Sequence, residues 1–241
     1  MYNDVENINE AILRAMNDYA RQSCFKVKRG ARYHDISYWR FQIQTLHLTD
    51  YFRSQGITNG ERVAIIADNS PDWFAVFLAC LLAGGVAVPL HASYTPTMVR
   101  QILAGVGAAM AVIDDEEYAR ALSGDSELPH LTTILAINNP PDLSPHVMTL
   151  DQILTKTAPP TSDEQEQLRN HAVSIDPDAL ATIFYVVSES GQPKGAVFDH
   201  TISLASLRHM AGWLKFEEDE LAFTLRPWSE APSLMVTLHY F

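Results

Sequence analysis

Apolar residues near the start of the chain recur at helical spacing. Ile8, Ile12, Ala15, Met16 and Tyr19 would share one stripe of a helix whose other side is polar. The period then shortens to two. Phe25-Lys26-Val27-Lys28 and Arg32-Tyr33-His34 alternate around Arg29-Gly30-Ala31, which predicts a hairpin with a cationic outer side. Ser37 is placed to cap a second helix carried by Trp39, Ile43 and Leu46, and Gly56 ends it.

From Arg62 onward strands and helices alternate. Arg62 to Ala67 suits a buried strand, Ser70-Pro71 starts a helix over Asp72 to Ala83, and Gly84-Gly85 stops it. Val86 to Leu90 is a second strand, Thr95-Pro96 repeats the start signal for a helix over Thr97 to Val106, and Ala109 to Ile113 is a third strand. Helical crossovers between short apolar strands predict an α/β fold, with a largely parallel sheet and helices on both faces. A fourth strand is expected near Thr132 to Ile137. Asn138-Asn139-Pro140-Pro141 and the polar stretch Ala158 to Asn170 read as surface connections. Two units are expected: residues 1–170 hold the helix, hairpin and α/β subdomain. Residues 171–241 hold a strand-loop-strand, a helix and the start of a second subdomain.

Charge narrows the partners. The 241 residues carry 17 Lys and Arg against 29 Asp and Glu, a formal charge of −12, which would repel nucleic acid and anionic lipid. The longest apolar run, Trp73 to Leu82, is about half the ~20 residues needed to span a membrane, and Met1 to Arg21 lacks the apolar stretch of a secretion signal. Cys24 and Cys80 are too few for a disulfide framework. A cytoplasmic protein is expected.

The chemistry concentrates after the strand Ala179 to Val187. There the chain runs Ser188-Glu189-Ser190-Gly191-Gln192-Pro193-Lys194-Gly195 and enters a second strand, Ala196 to Phe198. Backbone N–H groups, hydroxyls and an ammonium in such a loop can wrap a phosphate chain. A glycine-containing hairpin turn accounts for the same letters. The spacing is not that of a Walker A loop.

The wider context resembles a known family. "LATIFYVVSESGQPKGAVFDH" is similar to the ATP-phosphate loop of the adenylate-forming enzymes, Y-T-S-G-[ST]-T-G-x-P-K-G-V followed by a His. Tyr185, Ser190, Gly191, Pro193, Lys194, Gly195 and His200 fall on matching positions. Upstream, "GITNGERVAIIADNSPDWFAVFLACLLAGGVAVPLHASYTPTMVRQIL" resembles the family's G-x-x-x-G-D-R-V-A-I region. Downstream, "LAFTLRPWSEAPSLMVTLHYF" resembles the L-x-F-L-P-L-S-H segment of fatty-acid CoA ligases.

That resemblance implies the amino-terminal part of an acyl-CoA synthetase. It implies ATP with magnesium as cofactors, coenzyme A in a complete ligase, a fatty acid or other carboxylate as substrate, and a nucleotide contact through Ser188, Ser190, Gly191, Lys194 and Gly195.

The chain departs from the pattern where phosphate would sit. Val186 and Val187 replace a hydroxyl pair, Ser188 replaces a glycine, and Glu189 replaces a hydroxyl residue. A carboxylate about 5 Å from one phosphate charge costs on the order of 3 kcal/mol at an effective dielectric near 20. Glu189 therefore opposes the triphosphate unless it points away or coordinates the magnesium that accompanies ATP. The family's adenine and ribose motifs and its carboxy-terminal lysine have no counterpart before Phe241, and Glu230 stands where a His is usual. The expectation is a chain unable to form acyl-adenylate alone, with no catalytic residue of its own. It is a non-catalytic binding or regulatory pseudoenzyme or homodimeric scaffold, half of a ligase completed by a second chain, or a pseudogene product or fragment.

Other candidates yield blander readings. Asp114-Asp115-Glu116-Glu117 reads as a solvated helix start, and so does Glu217-Glu218-Asp219-Glu220. His34, His47, His91, His200 and His209 share no metal-ligand spacing, so no metal is expected. Ser188 and Ser190 near His200 lack the nucleophile elbow of a serine hydrolase.

Overall fold

A computed structural model describes residues 4–58, 60–124, 127–138, 147–188, 191–215 and 220–241. Helix α1 spans Ile8–Asp18. The hairpin β1 (Ser23–Arg29) and β2 (Arg32–Ser37) follows as a separate antiparallel pair, and α2 covers Tyr38–Ser54. The alternating part then runs β3 (Arg62–Ile66), α3 (Pro71–Ala83), β4 (Val86–Leu90), α4 (Pro96–Val106), β5 (Met110–Ile113), α5 (Glu116–Leu122), β6 (Thr133–Ala136) and β7 (Met148–Thr149). Helices α6 (Leu150–Lys156) and α7 (Ser162–Val173) lead to β8 (Leu180–Val187), β9 (Pro193–Asp199), α8 (His200–Trp213) and α9 (Ala231–Tyr240).

Among the described residues seven strands form one sheet, ordered β7-β6-β5-β3-β4-β8-β9. Every pairing is parallel except the last, where β9 folds back on β8. The expected α/β architecture is present. Alternate residues of a strand serve opposite faces. Val63 and Ile65 therefore join the core under α1, α2, α3 and α6 to α9, whereas Ala64 and Ile66 join the core under α4 and α5. Burial on both faces is why β3, β4 and β5 read as unbroken apolar runs.

Local signals start the helices as read. Ser37 accepts the Arg40 N–H, Ser70 the Trp73 N–H, and Thr95 the Met98 N–H. Gly84 and Gly107 close α3 and α4 in the left-handed region that a side chain would resist. Helix α3 is buried on all sides because α2 and α7 cover its outer surface. No helix is long and apolar enough to cross a membrane among the described residues.

One reading is corrected. The stretch Ala158 to Asn170 is not simply a connection, because α7 begins at Ser162. Its surface is polar and only Leu168 and Ala172, four residues apart, are buried, so no apolar stripe announces it. A capping box does. Thr161 Oγ1 accepts the Glu164 N–H, and Glu164 Oε2 accepts the Thr161 N–H at 2.7 Å. Thr161→Ala should cost about 1 kcal/mol in urea unfolding, and an unchanged midpoint would mean that packing alone holds the helix. Side-chain amides dock α7 from the far end of the chain. Asn7 Nδ2 donates to the carbonyls of Val173 and Ile175, and Asn9 Nδ2 to that of Ala172. Part of the Asn138 to Pro141 connection, like Glu217 to Asp219, lies outside the described residues.

Candidate functional site

The β8–β9 hairpin carries the candidate residues. Strand pairing runs from Leu180 opposite Asp199 to Val187 opposite Pro193, so the turn Ser188 to Gln192 sits at the carboxyl end of β8. In a parallel sheet that is the end where ligands collect. Glu189 and Ser190 lie outside the described residues.

The described part of the turn is closed on itself. The Ser188 N–H and the Ser188 hydroxyl both donate to the Gln192 carbonyl, at 3.1 and 3.0 Å, and the Gly191 N–H donates to the Ser188 carbonyl at 2.8 Å. Gly191 has φ +76°, which a residue with a side chain adopts only under strain. Three donors of the turn are thus directed to its own carbonyls. Val186 and Val187 remain 61% and 40% exposed, an apolar lining where hydroxyls were looked for. Lys194 lies opposite Val186 in the ladder and is exposed.

Gly195 has a packing reason. It lies opposite Tyr185, and a Cβ there would meet Ile183 Cγ2 at 2.9 Å and the Tyr185 ring at 3.3 Å. The missing side chain lets the tyrosine cross the neighbouring strand. Two further contacts, invisible in the sequence, fix the hairpin's position. Tyr94 Oη reaches the Tyr185 carbonyl at 3.5 Å, and Gln101 Nε2 of α4 lies 3.4 Å from Gln192 Oε1. Burial pushes both tyrosine hydroxyls up from their ordinary pKa.

His200 does not join this turn. It opens α8 at the opposite end of β9, and seven residues of strand separate the two by roughly 20 Å. Ser188 and His200 therefore form no nucleophile–base pair. The imidazole is 1% exposed, and its Nδ1 has no partner among the described residues. Burial pushes its pKa down to about 4 against the opposing pull of Asp199, so the ring is neutral at pH 7.

The acidic run is only partly solvated. Asp115 caps α5 by accepting the Glu117 N–H, as a helix start requires. Asp114 instead turns inward, where Oδ2 accepts the Asp68 N–H at 2.6 Å and burial raises its carboxyl. Glu230 stands before α9 and pairs with Arg226 at 2.9 Å.

Comparison with known proteins gives this arrangement its relatives. The long-chain-fatty-acid–CoA ligase ACSBG1 of Rattus norvegicus is 23% identical over 194 residues, 79% of this chain and 26% of the ligase. The long-chain-fatty-acid–CoA ligase ACSBG2 of Gallus gallus is 22% identical over 240 residues, 97% of this chain and 31% of that ligase. The chain thus spans between a quarter and a third of the length of the fatty-acid ligases it matches. In fold, the anthranilate CoA ligase AuaEII in complex with anthranoyl-AMP superimposes with a TM-score of 0.77 at 16% identity, covering 97% of this chain and 43% of that one. The family model described as AMP-binding enzyme matches residues 14–237, so the β8–β9 turn, its two strands and the sheet behind them belong to the AMP-binding enzyme family.

Proposed function

We propose that this chain is a fatty-acid–CoA-ligase-type module that has lost nucleotide binding at its β8–β9 turn and forms no acyl-adenylate by itself. The observation that carries the reading is the turn's closure on Gln192 and Ser188, which takes up donors a triphosphate would need. The family's cofactors are ATP with magnesium, and coenzyme A as acyl acceptor. The described residues do not fit the first of these: two valine side chains offer no hydrogen bond, and opening the turn would break three. Glu189 adds a negative charge within the same segment. No chemical step is therefore assigned to this chain's residues. The reading is of a regulatory or scaffolding relative in a reducing, cytosolic setting, in keeping with free Cys24 and Cys80.

Calorimetric titration with Mg-ATP tests it. The expected result is no binding tighter than about 1 mM, a free energy near −4 kcal/mol. Micromolar affinity would sink the proposal. The double variant Ser188→Gly with Glu189→Thr should tighten nucleotide binding about tenfold or more without producing acyl-adenylate.

A further inference from the structure

The charge of the chain is unevenly placed. Six of its 17 Lys and Arg lie between Arg21 and Arg40, against one of its 29 acids, Asp35, so this stretch carries +5 and the remainder −17. The stretch is the β1–β2 ribbon with its flanks. The ribbon is anchored at one end only. Phe25 packs on Phe41 and Phe74 at 5.1 and 5.7 Å, and Cys24 and Ile36 rest against the same core. From Lys28 to Asp35 every residue is exposed. The strand from Phe25 to Gly30 carries the turn roughly 15 Å from that anchor.

Strand register sets the cations side by side. Arg29 stands directly opposite Arg32, and Lys28 opposite Tyr33. Like charges facing each other across a strand pair destabilise it, and among the described residues no ion pair engages Lys28, Arg29 or Arg32. The one acid has other partners: Asp35 accepts the Ser23 hydroxyl at 3.1 Å and lies 4.0 Å from Lys26. A two-stranded ribbon is marginal in stability to begin with. Its uncompensated arginine pair therefore calls for an anion from outside the chain. Two aromatic side chains accompany it. Tyr33 is 68% exposed, and Trp39, two residues past β2, is 60% exposed.

We infer that the β1–β2 ribbon is an arm that docks on an anionic phospholipid surface. Lys28, Arg29 and Arg32 meet headgroup phosphates, which a guanidinium binds through two parallel N–H groups. The Tyr33 ring settles at the headgroup level, where aromatic residues with a polar tip collect. The −17 of the remainder does not prevent this. A membrane's surface potential fades over a screening length, about 8 Å at physiological salt, and the arm reaches further than that. A nucleic-acid duplex is the poorer occupant. Three cations at a turn make few phosphate contacts, and paired bases offer the exposed rings nothing to stack on. The inference uses no residue of the β8–β9 turn and is independent of the nucleotide reading.

Co-sedimentation of the 241-residue chain with vesicles tests it. Vesicles of phosphatidylcholine with about 30% phosphatidylserine should half-saturate at about 1 mM lipid in about 0.1 M salt, and phosphatidylcholine alone should bind at least about tenfold more weakly. Raising the salt to about 0.5 M should weaken the first about tenfold, as the screening length shrinks from ~10 Å to ~4 Å. Each cation contributes about fivefold at such a surface, so Arg29→Glu, a change of two charges, should weaken binding about 30-fold. That substitution sets opposite charges across the ribbon. Its unfolding midpoint should therefore hold or rise, so that lost binding is not lost folding. Tyr33→Ser should weaken binding at unchanged charge. Lys156→Glu, the same charge change at an exposed position of α6, should leave binding as it was. No binding, equal binding to the two kinds of vesicle, or a loss as large from Lys156→Glu as from Arg29→Glu overturns the inference. So does binding to an RNA duplex with the vesicles left free.

Discussion

Replacing Phe74 by alanine should lower the unfolding free energy by about 3–5 kcal/mol, a large share of the roughly 5–15 kcal/mol typical of a domain. The ring is fully buried in α3 and meets rings from four other places. Phe25 of β1 lies at 5.7 Å, Phe41 of α2 at 6.0 Å, Trp228 before α9 at 5.4 Å and the terminal Phe241 at 5.2 Å. Removing it leaves a cavity where the hairpin, α2, the segment before α9 and the residue after it converge, and close-packed surroundings relax only in part. Urea denaturation followed by tryptophan emission measures the loss, and Phe74→Leu should recover more than half of it. A loss below about 1.5 kcal/mol would show that the rings touch without acting as a unit.

The second large effect is on acid stability, through His200. Its folded pKa is near 4 against an ordinary value of 6.5, so the unfolded chain takes up the proton first. The stability this buried neutral ring represents is fully present above pH 6.5 and is lost as pH falls through 4, by about 3 kcal/mol at the limit. Burial moves His47 and His171 in the same direction, so the difference between wild type and His200→Leu isolates the one ring. Unfolding curves from about pH 7.5 to 4 should show the wild type losing stability faster than the variant. Parallel curves would mean that the imidazole is hydrated in the folded protein.

These two sites mark what could and could not be read in advance. The stretch from Arg62 to Ile113 was legible because each strand is a short apolar run, and each of its first two helices opens on a hydroxyl cap with proline behind it. The hairpin around Gly30 was legible for a similar reason: a period of two interrupted by a residue able to take φ +62°. Helix α7 was hidden by its polar surface, and β7 by having only two residues.

At the site, the run from Ser188 to Lys194 carried the resemblance to the family whose model covers it. Its closure was not legible, since a turn's internal hydrogen bonds depend on torsions that several sequences share. Nor was the support from Tyr94 and Gln101, which lie 91 positions from their partners Tyr185 and Gln192. The separation of His200 from the turn follows from strand direction and became visible only once β9 was seen to run away from it.

The asparagine amides of α1 bear on how the protein is made. Asn7 must wait for carbonyls 166 and 168 positions further on, and Asn9 for one 163 positions on. At ribosomal speed, about 5–20 residues per second, that is roughly ten to thirty seconds. Asn9 also donates to the Leu81 carbonyl, 72 positions on, so α1 can settle on α3 early, and its fit is completed only when Ala172, Val173 and Ile175 have emerged.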